Sequence, residues 1–223
     1  MENVYAFYEP INEPWVDQMD HNNLIELWKK SWRYYGWNPI VYGIKECESC
    51  DGYEELYNAC QSYPTVNPKQ YEMLCFLRWL YMSEVGGWYA DLDMMNHGFY
   101  PTEFGDKIIT TAYTLHCSAI YMSAEKYKKI VDHIKNLKIT DEDYFDFGDG
   151  RKAPTVSDMT VLTKHNNDID LKLEIQAEYP HNDYKNKLIV HYPFAIYGSD
   201  SNLKGKSRSQ IILEDDRTKT FLK

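Results

Sequence analysis

The chain has 223 residues, a formal net charge of −10, and 43% hydrophobic and 26% charged residues. That length predicts one domain whose core needs no disulfide or metal staple. The negative charge without a long basic run excludes a nucleic-acid partner, and no apolar run is long enough to predict a membrane span.

Val4 to Tyr8 reads as a first strand, ended by Glu9-Pro10. Asn22 or Asn23 is expected to cap a helix carrying Leu24, Leu27, Trp28 and Trp32 on one face, with Gly36 as its stop. Pro39 to Gly43 reads as a second strand. A strand–helix–strand unit predicts parallel pairing and an α/β sheet. Cys47-x-x-Cys50 lacks the second pair that a zinc site needs. With Cys60, Cys75 and Cys117 it predicts reduced thiols and a cytoplasmic setting, with no leader segment expected. Tyr53 to Gln61 forms a short helix. Lys69 to Val85 forms a long one, apolar over most of its circumference and therefore buried. Gly86-Gly87 ends it. Trp88-Tyr89-Ala90 is a short strand that presents Asp91 and Asp93 at its carboxyl end, where ligands of open α/β sheets bind.

Ile108 to Tyr113 and Ala119 to Met122 are two further strands. Ala124 to Leu137 is an amphipathic helix. Thr140 to Lys152, with Asp141, Glu142, Asp143 and Asp146, reads as a solvated acidic loop. Val156 to Lys164 is a helix, Leu171 to Ile175 and Leu188 to His191 are late strands, and the stretch from Gly198 reads as a polar lid or tail.

The chemistry centres on Asp91-x-Asp93. In a strand, residues i and i+2 point the same way, so both carboxylates should face one site. Two facing carboxylates repel unless a cation lies between them, and hard oxygen ligands suit Mg²⁺ or Mn²⁺. An EF-hand loop starting at Asp91 fails, because its fifth, sixth and twelfth positions hold Met95, Asn96 and Thr102. A metal-dependent phosphatase of the Asp-nucleophile type needs a small hydroxyl residue where Met94 and Met95 stand. Arg78, inside the most apolar helix, needs an anionic partner: Asp91, Asp93 or a ligand phosphate.

Arg78-Trp79, followed by Gly86-Gly87-Trp88-Tyr89-Ala90-Asp91-Leu92-Asp93, resembles the sugar-binding region containing the DXD motif of family 32 glycosyltransferases. That pattern is R-[YF]-x6-G-G-x-Y-x-D-x-D, and the spacing is the same. Asn23-Leu24 and Ser31-Trp32 through Trp37 also resemble that family's leading helix, so the likeness covers residues 1–100. It implies a single GT-A domain with a Rossmann-like mixed sheet and flanking helices. Residues 1–100 would form the nucleotide-sugar half, and 101–223 the acceptor half with a polar tail. It further implies a monomeric glycosyltransferase using Mn²⁺ or Mg²⁺, with a UDP-sugar favoured as donor and a carbohydrate or glycoprotein hydroxyl as acceptor. The small size is similar to soluble bacterial members or to the glycosyltransferase domains of large algal viruses, and so to the cytoplasm of a bacterium or an infected host cell.

On this resemblance Asp91 and Asp93 hold the metal, with His191 as a third ligand. Phe7, Tyr8, Tyr42, Arg78, Asp91, Leu92 and Asp93 line the donor site. Arg78 acts in catalysis, and Asp158 takes the acceptor proton. Plainer readings stand beside these. Tyr8 and Tyr42 fit core packing, Asp158 fits a helix start, and His191 fits a strand end without a ligand role. The chain departs from the family at Cys75, where an Asp that helps hold the donor is usual. A non-catalytic carbohydrate-binding module and a phosphate-ester hydrolase are the alternative functions.

Overall fold

The computed structural model describes residues 1–11, 18–102, 104–116, 118–146, 148, 152–180, 183–193 and 205–223. The chain opens with β1 (Asn3–Phe7), α1 (Gln18–Tyr34) and β2 (Asn38–Tyr42). β1 and β2 pair in parallel with Tyr5 opposite Ile40, as the strand–helix–strand reading requires. Helix α1 begins earlier than expected: Asn22 and Asn23 lie inside it, and Asp20 occupies the first turn, where a carboxylate favours the helix dipole. Gly36 ends it at φ +89°, bonding back to the Arg33 carbonyl at 3.0 Å.

Next come α2 (Ile44–Glu48), α3 (Tyr53–Gln61), α4 (Lys69–Val85), β3 (Gly87–Tyr89) and β4 (Met94–Asn96). Both α3 and α4 have the predicted bounds. β5 (Ile109–Thr110), β6 (Ile120–Met122) and α5 (Ala124–Lys135) follow, then β7 (Tyr144–Asp146), β8 (Lys152–Pro154) and α6 (Asp158–Lys164). The last elements are β9 (Leu171–Lys172), β10 (Gln176–Glu178), β11 (Ile189–His191) and α7 (Arg208–Glu214).

The main sheet has six strands in the order β2-β1-β3-β6-β5-β9, and β6 runs antiparallel to both its neighbours. A second sheet, β10-β11-β4, carries β11 antiparallel to β4. This is a Rossmann-like mixed α/β fold with flanking helices. Side chains alternate across the main sheet, as the period of two demands. Tyr5, Tyr89, Ile120 and Met122 enter one core with α3, α4, α5 and α6. Val4, Ala6, Trp88 and Ala119 enter the other with α1, α7 and the second sheet. Trp28, Trp32, Trp37 and Trp88 in that second core are fully buried, so most of the aromatic wealth is packing.

Several expectations fail. Strand β5 covers two residues of the predicted Ile108 to Tyr113, and β9 two of Leu171 to Ile175. The acidic loop holds an antiparallel strand pair, β7 with β8, in which Tyr144 faces Pro154. The polar tail contains a helix whose Ile211 and Ile212 are buried. Two apolar neighbours in a polar stretch suffice, because the second core receives both. Cys117 and residues 198–204 lie outside the described residues, and the other four cysteines are free thiols. No helix among the described residues is long and apolar enough to cross a membrane.

Candidate functional site

Helix α4 delivers the site. Its carboxyl end stops at Gly86, where φ is +64° and a Cβ would lie 2.8 Å from the backbone nitrogen of Ala124. Only glycine allows α5 and β3 to meet there. β3 pairs with β1, and Ala90 continues the contact by donating to the Tyr5 carbonyl at 2.9 Å. Asp91 and Asp93 stand beyond the strand, in a turn closed by the Met94 N–H on the Asp91 carbonyl at 2.9 Å. The expectation that strand alternation aims both carboxylates together is therefore corrected. The turn sends them to two different partner sets.

Asp91 joins a buried knot. Arg78 donates from Nη1 to Asp91 Oδ1 at 2.8 Å and from Nη2 to Asp158 Oδ2 at 2.6 Å. Tyr89 donates to the same Asp91 oxygen at 2.8 Å, and Trp79 Nε1 donates to Asp158 Oδ2 at 3.2 Å. The guanidinium carbon lies 4.8 Å from the Trp79 ring centre and 5.2 Å from that of Tyr89. A planar, weakly hydrated cation suits such a place, and a lysine would not bridge both carboxylates. Tyr42 supports the knot from beneath, its hydroxyl donating to the Arg78 carbonyl at 2.7 Å.

Asp93 has its own set. Its Oδ2 meets Arg208 Nη1 at 3.1 Å and His191 Nε2 at 3.6 Å. The β4–β11 register places His191 opposite Met94, and Tyr192 locks it by donating to the Asp93 carbonyl at 2.9 Å. Glu178 stands 3.6 Å from His191 Nδ1. Burial pulls the His191 pKa down, but Asp93 and Glu178 outweigh it and raise the group to about 10. Burial pushes Asp93 up, but His191 and Arg208 outweigh it and hold the carboxyl well below its usual range. The opposed shifts pair His191, as the cation, with the Asp93 carboxylate.

Asp93 Oδ1 is buried and has no hydrogen-bond partner among the described residues. An orphaned, ionised carboxylate oxygen is costly unless something occupies it. It is a hard oxygen ligand of the kind that suits Mg²⁺ or Mn²⁺, although the turn points the Asp91 carboxylate at a different partner set. Among the described residues, the group of three whose ligand atoms all lie within 4.8 Å is a different one, Glu72, Cys75 and Asp158.

The remaining predicted residues separate. Asp158 has a side chain only 4% exposed, and Ser157, not Asp158, caps α6 by accepting from Thr160 N–H. A carboxylate locked between Arg78 and Trp79 holds those groups in place, which corrects the role of acceptor-side base. The Tyr42 ring is buried among Tyr5, Phe7 and Tyr81 and presents no face for a nucleobase. Phe7 packs edge-on against it, 5.4 Å between ring centres. Tyr8 is half-buried at the sheet edge, its ring meeting His21 edge-on at 5.6 Å. Leu92 packs against the second core.

Three contributors escaped the sequence: Tyr89, Glu178 and Arg208. Tyr89 stands in the motif, so its hydroxyl was open to suspicion. Arg208 reaches Asp93 from 115 residues away, and no local pattern signals that pairing. Comparison with protein-family models, curated proteins and solved structures finds no match to the chain.

Proposed function

We propose that the protein is a metal-dependent glycosyltransferase of GT-A type, taking a nucleotide-diphosphate sugar, with a UDP-sugar favoured, to a carbohydrate or glycoprotein hydroxyl. The observation that carries this reading is the buried, unpartnered Asp93 Oδ1 on a turn shared with Asp91, after the Gly86-Gly87 break. Asp91 and Asp93 would hold Mn²⁺ or Mg²⁺, which neutralises charge on a departing diphosphate. Arg78 orients Asp91 through a contact of 2.8 Å. Tyr89 fixes the same oxygen, so only Asp91 Oδ2 is left to turn outward. Cys75, where the resembling family has an Asp, lies beside Asp158. Asp158 from α6 and Glu72 from α4 supply carboxylates beside that cysteine.

A carbohydrate-binding module has no use for a buried carboxylate oxygen kept without a partner, and a phosphate-ester hydrolase of the Asp-nucleophile type needs a small hydroxyl residue where Met94 and Met95 stand. The test is hydrolysis and transfer from a panel of nucleotide sugars with Mn²⁺. Asp93→Asn should abolish turnover while circular dichroism shows the fold retained at the assay temperature. Turnover by Asp93→Asn at the parental rate would sink the assignment.

A further inference from the structure

Arg208 belongs to α7, far in sequence from the turn it touches. Its Nη1 takes Asp93 Oδ2 at 3.1 Å, and its side chain is 20% exposed, so it stands at the open side of a buried carboxylate. The helix does not depend on that contact. Ile211 and Ile212 are buried in the second core, and the Ser209 N–H donates to Asp20 Oδ1 of α1 at 3.1 Å. Ser207 caps the helix by accepting from Gln210 N–H. Arg208 is therefore a long cationic side chain on an independently anchored helix, placed on the oxygen beside the one left without a partner.

We infer that Arg208 is an exchangeable counter-charge: it rests on Asp93 in the metal-free protein and moves to the diphosphate of the ligand when a divalent cation takes Asp93. The inference rests on the glycosyltransferase reading for the identity of that ligand. Its chemistry needs only a carboxylate, a divalent cation and a diphosphate. A divalent ion on Asp93 Oδ1 would repel the guanidinium on the neighbouring Oδ2, and the singly charged group on a long side chain is the one that leaves. A planar fork then lies within a side chain's reach of the phosphate oxygens that a cation on this turn would bind, and bidentate pairing suits them. His191 stays behind, held 3.6 Å from both Asp93 and Glu178.

The prediction has two opposite signs, which a purely structural role would not produce. In Arg208→Gln, Mn²⁺ alone should bind about two- to fivefold more tightly, since a competing surface-side charge is gone. In the same variant, inorganic pyrophosphate added with saturating Mn²⁺ should bind about tenfold or more weakly, the loss expected for a charge-assisted contact. Mn²⁺ is followed by the loss of its free-ion paramagnetic resonance signal, and pyrophosphate by titration calorimetry on the full chain. Arg208→Lys keeps the charge, so its Mn²⁺ affinity should match the parent. Weaker or unchanged Mn²⁺ binding in Arg208→Gln, or unchanged pyrophosphate binding, would overturn the inference. If pyrophosphate behaves as expected while UDP, GDP and ADP bind no better than pyrophosphate itself, the nucleotide-sugar reading fails and the exchange stands.

Discussion

At the scale of single residues, Arg78 is where stability and site meet. Its guanidinium serves two carboxylates, and the Asp158 side chain is only 4% exposed. Arg78→Leu leaves that charge buried and unpaired. Breaking such a pair costs about 3–5 kcal/mol, enough to lower Tm by roughly 10 °C in a chain of this length. Thermal unfolding of Arg78→Leu against the double variant Arg78→Leu/Asp158→Leu separates charge from packing: the double variant should recover part of the loss. His191 gives a pH signature. Its folded pKa of about 10 exceeds the ordinary 6.5. The stabilisation is therefore fully present below pH 6.5 and lost as pH rises through about 10. The melting-temperature gap between the parent and His191→Gln should be steady in mild acid and close across that window. A gap that stays constant to pH 10 would mean that His191 is not the imidazolium partner of Asp93.

At the scale of elements, the hinge between α4 and β3 is the most demanding position. Gly86 sits at positive φ, and a Cβ there would meet the backbone of Ala124 at 2.8 Å. Gly86→Ala should cost at least about 1–2 kcal/mol from the backbone conformation alone, before α5 is displaced. Circular dichroism melts check the stability. A parallel Mn²⁺ titration should show weakened binding, because β3 carries the turn. The elements differ in how far their sequences announce them. Helix α4 was legible to the residue, since its apolar run is long and Gly86-Gly87 closes it. Strand β4 was not, because Met94, Met95 and Asn96 carry neither alternation nor β-branching, and only pairing with β11 makes them a strand. Helix α7 shows just Ile211, Ile212 and Leu213 among polar neighbours, and what defines it is the core it fills. The site followed the same division. Arg78, Asp91 and Asp93 were visible through a local motif, whereas Arg208 and Glu178 arrive by long-range register.

At the scale of the whole molecule, the carboxyl-terminal segment is structural. Tyr192 donates to Asp215 Oδ2 at 2.7 Å, and Arg217 pairs with the same oxygen at 2.8 Å while its Nη1 reaches the Tyr184 carbonyl. Removing residues 205–223 would strip Ile211 and Ile212 from the second core, a loss of about 3–6 kcal/mol from those two side chains alone. Such a truncation should melt well below the parent and bind a hydrophobic dye at room temperature. A truncated chain with the parental melting temperature would show that α7 is an appendage.

The pairing of Asp93 with Arg208 also bears on the order of events during synthesis. A ribosome releases the turn long before it releases its counter-charge, and the interval spans 115 residues. Until then the nascent chain carries a carboxylate without its guanidinium, and α1 lacks the strand of contacts that Ser209 brings to Asp20. The amino-terminal elements can pair early, yet the charge set around the turn is finished last. Chains stalled or cut short before Arg208 should be folded in part and unable to hold the turn in its resting charge state.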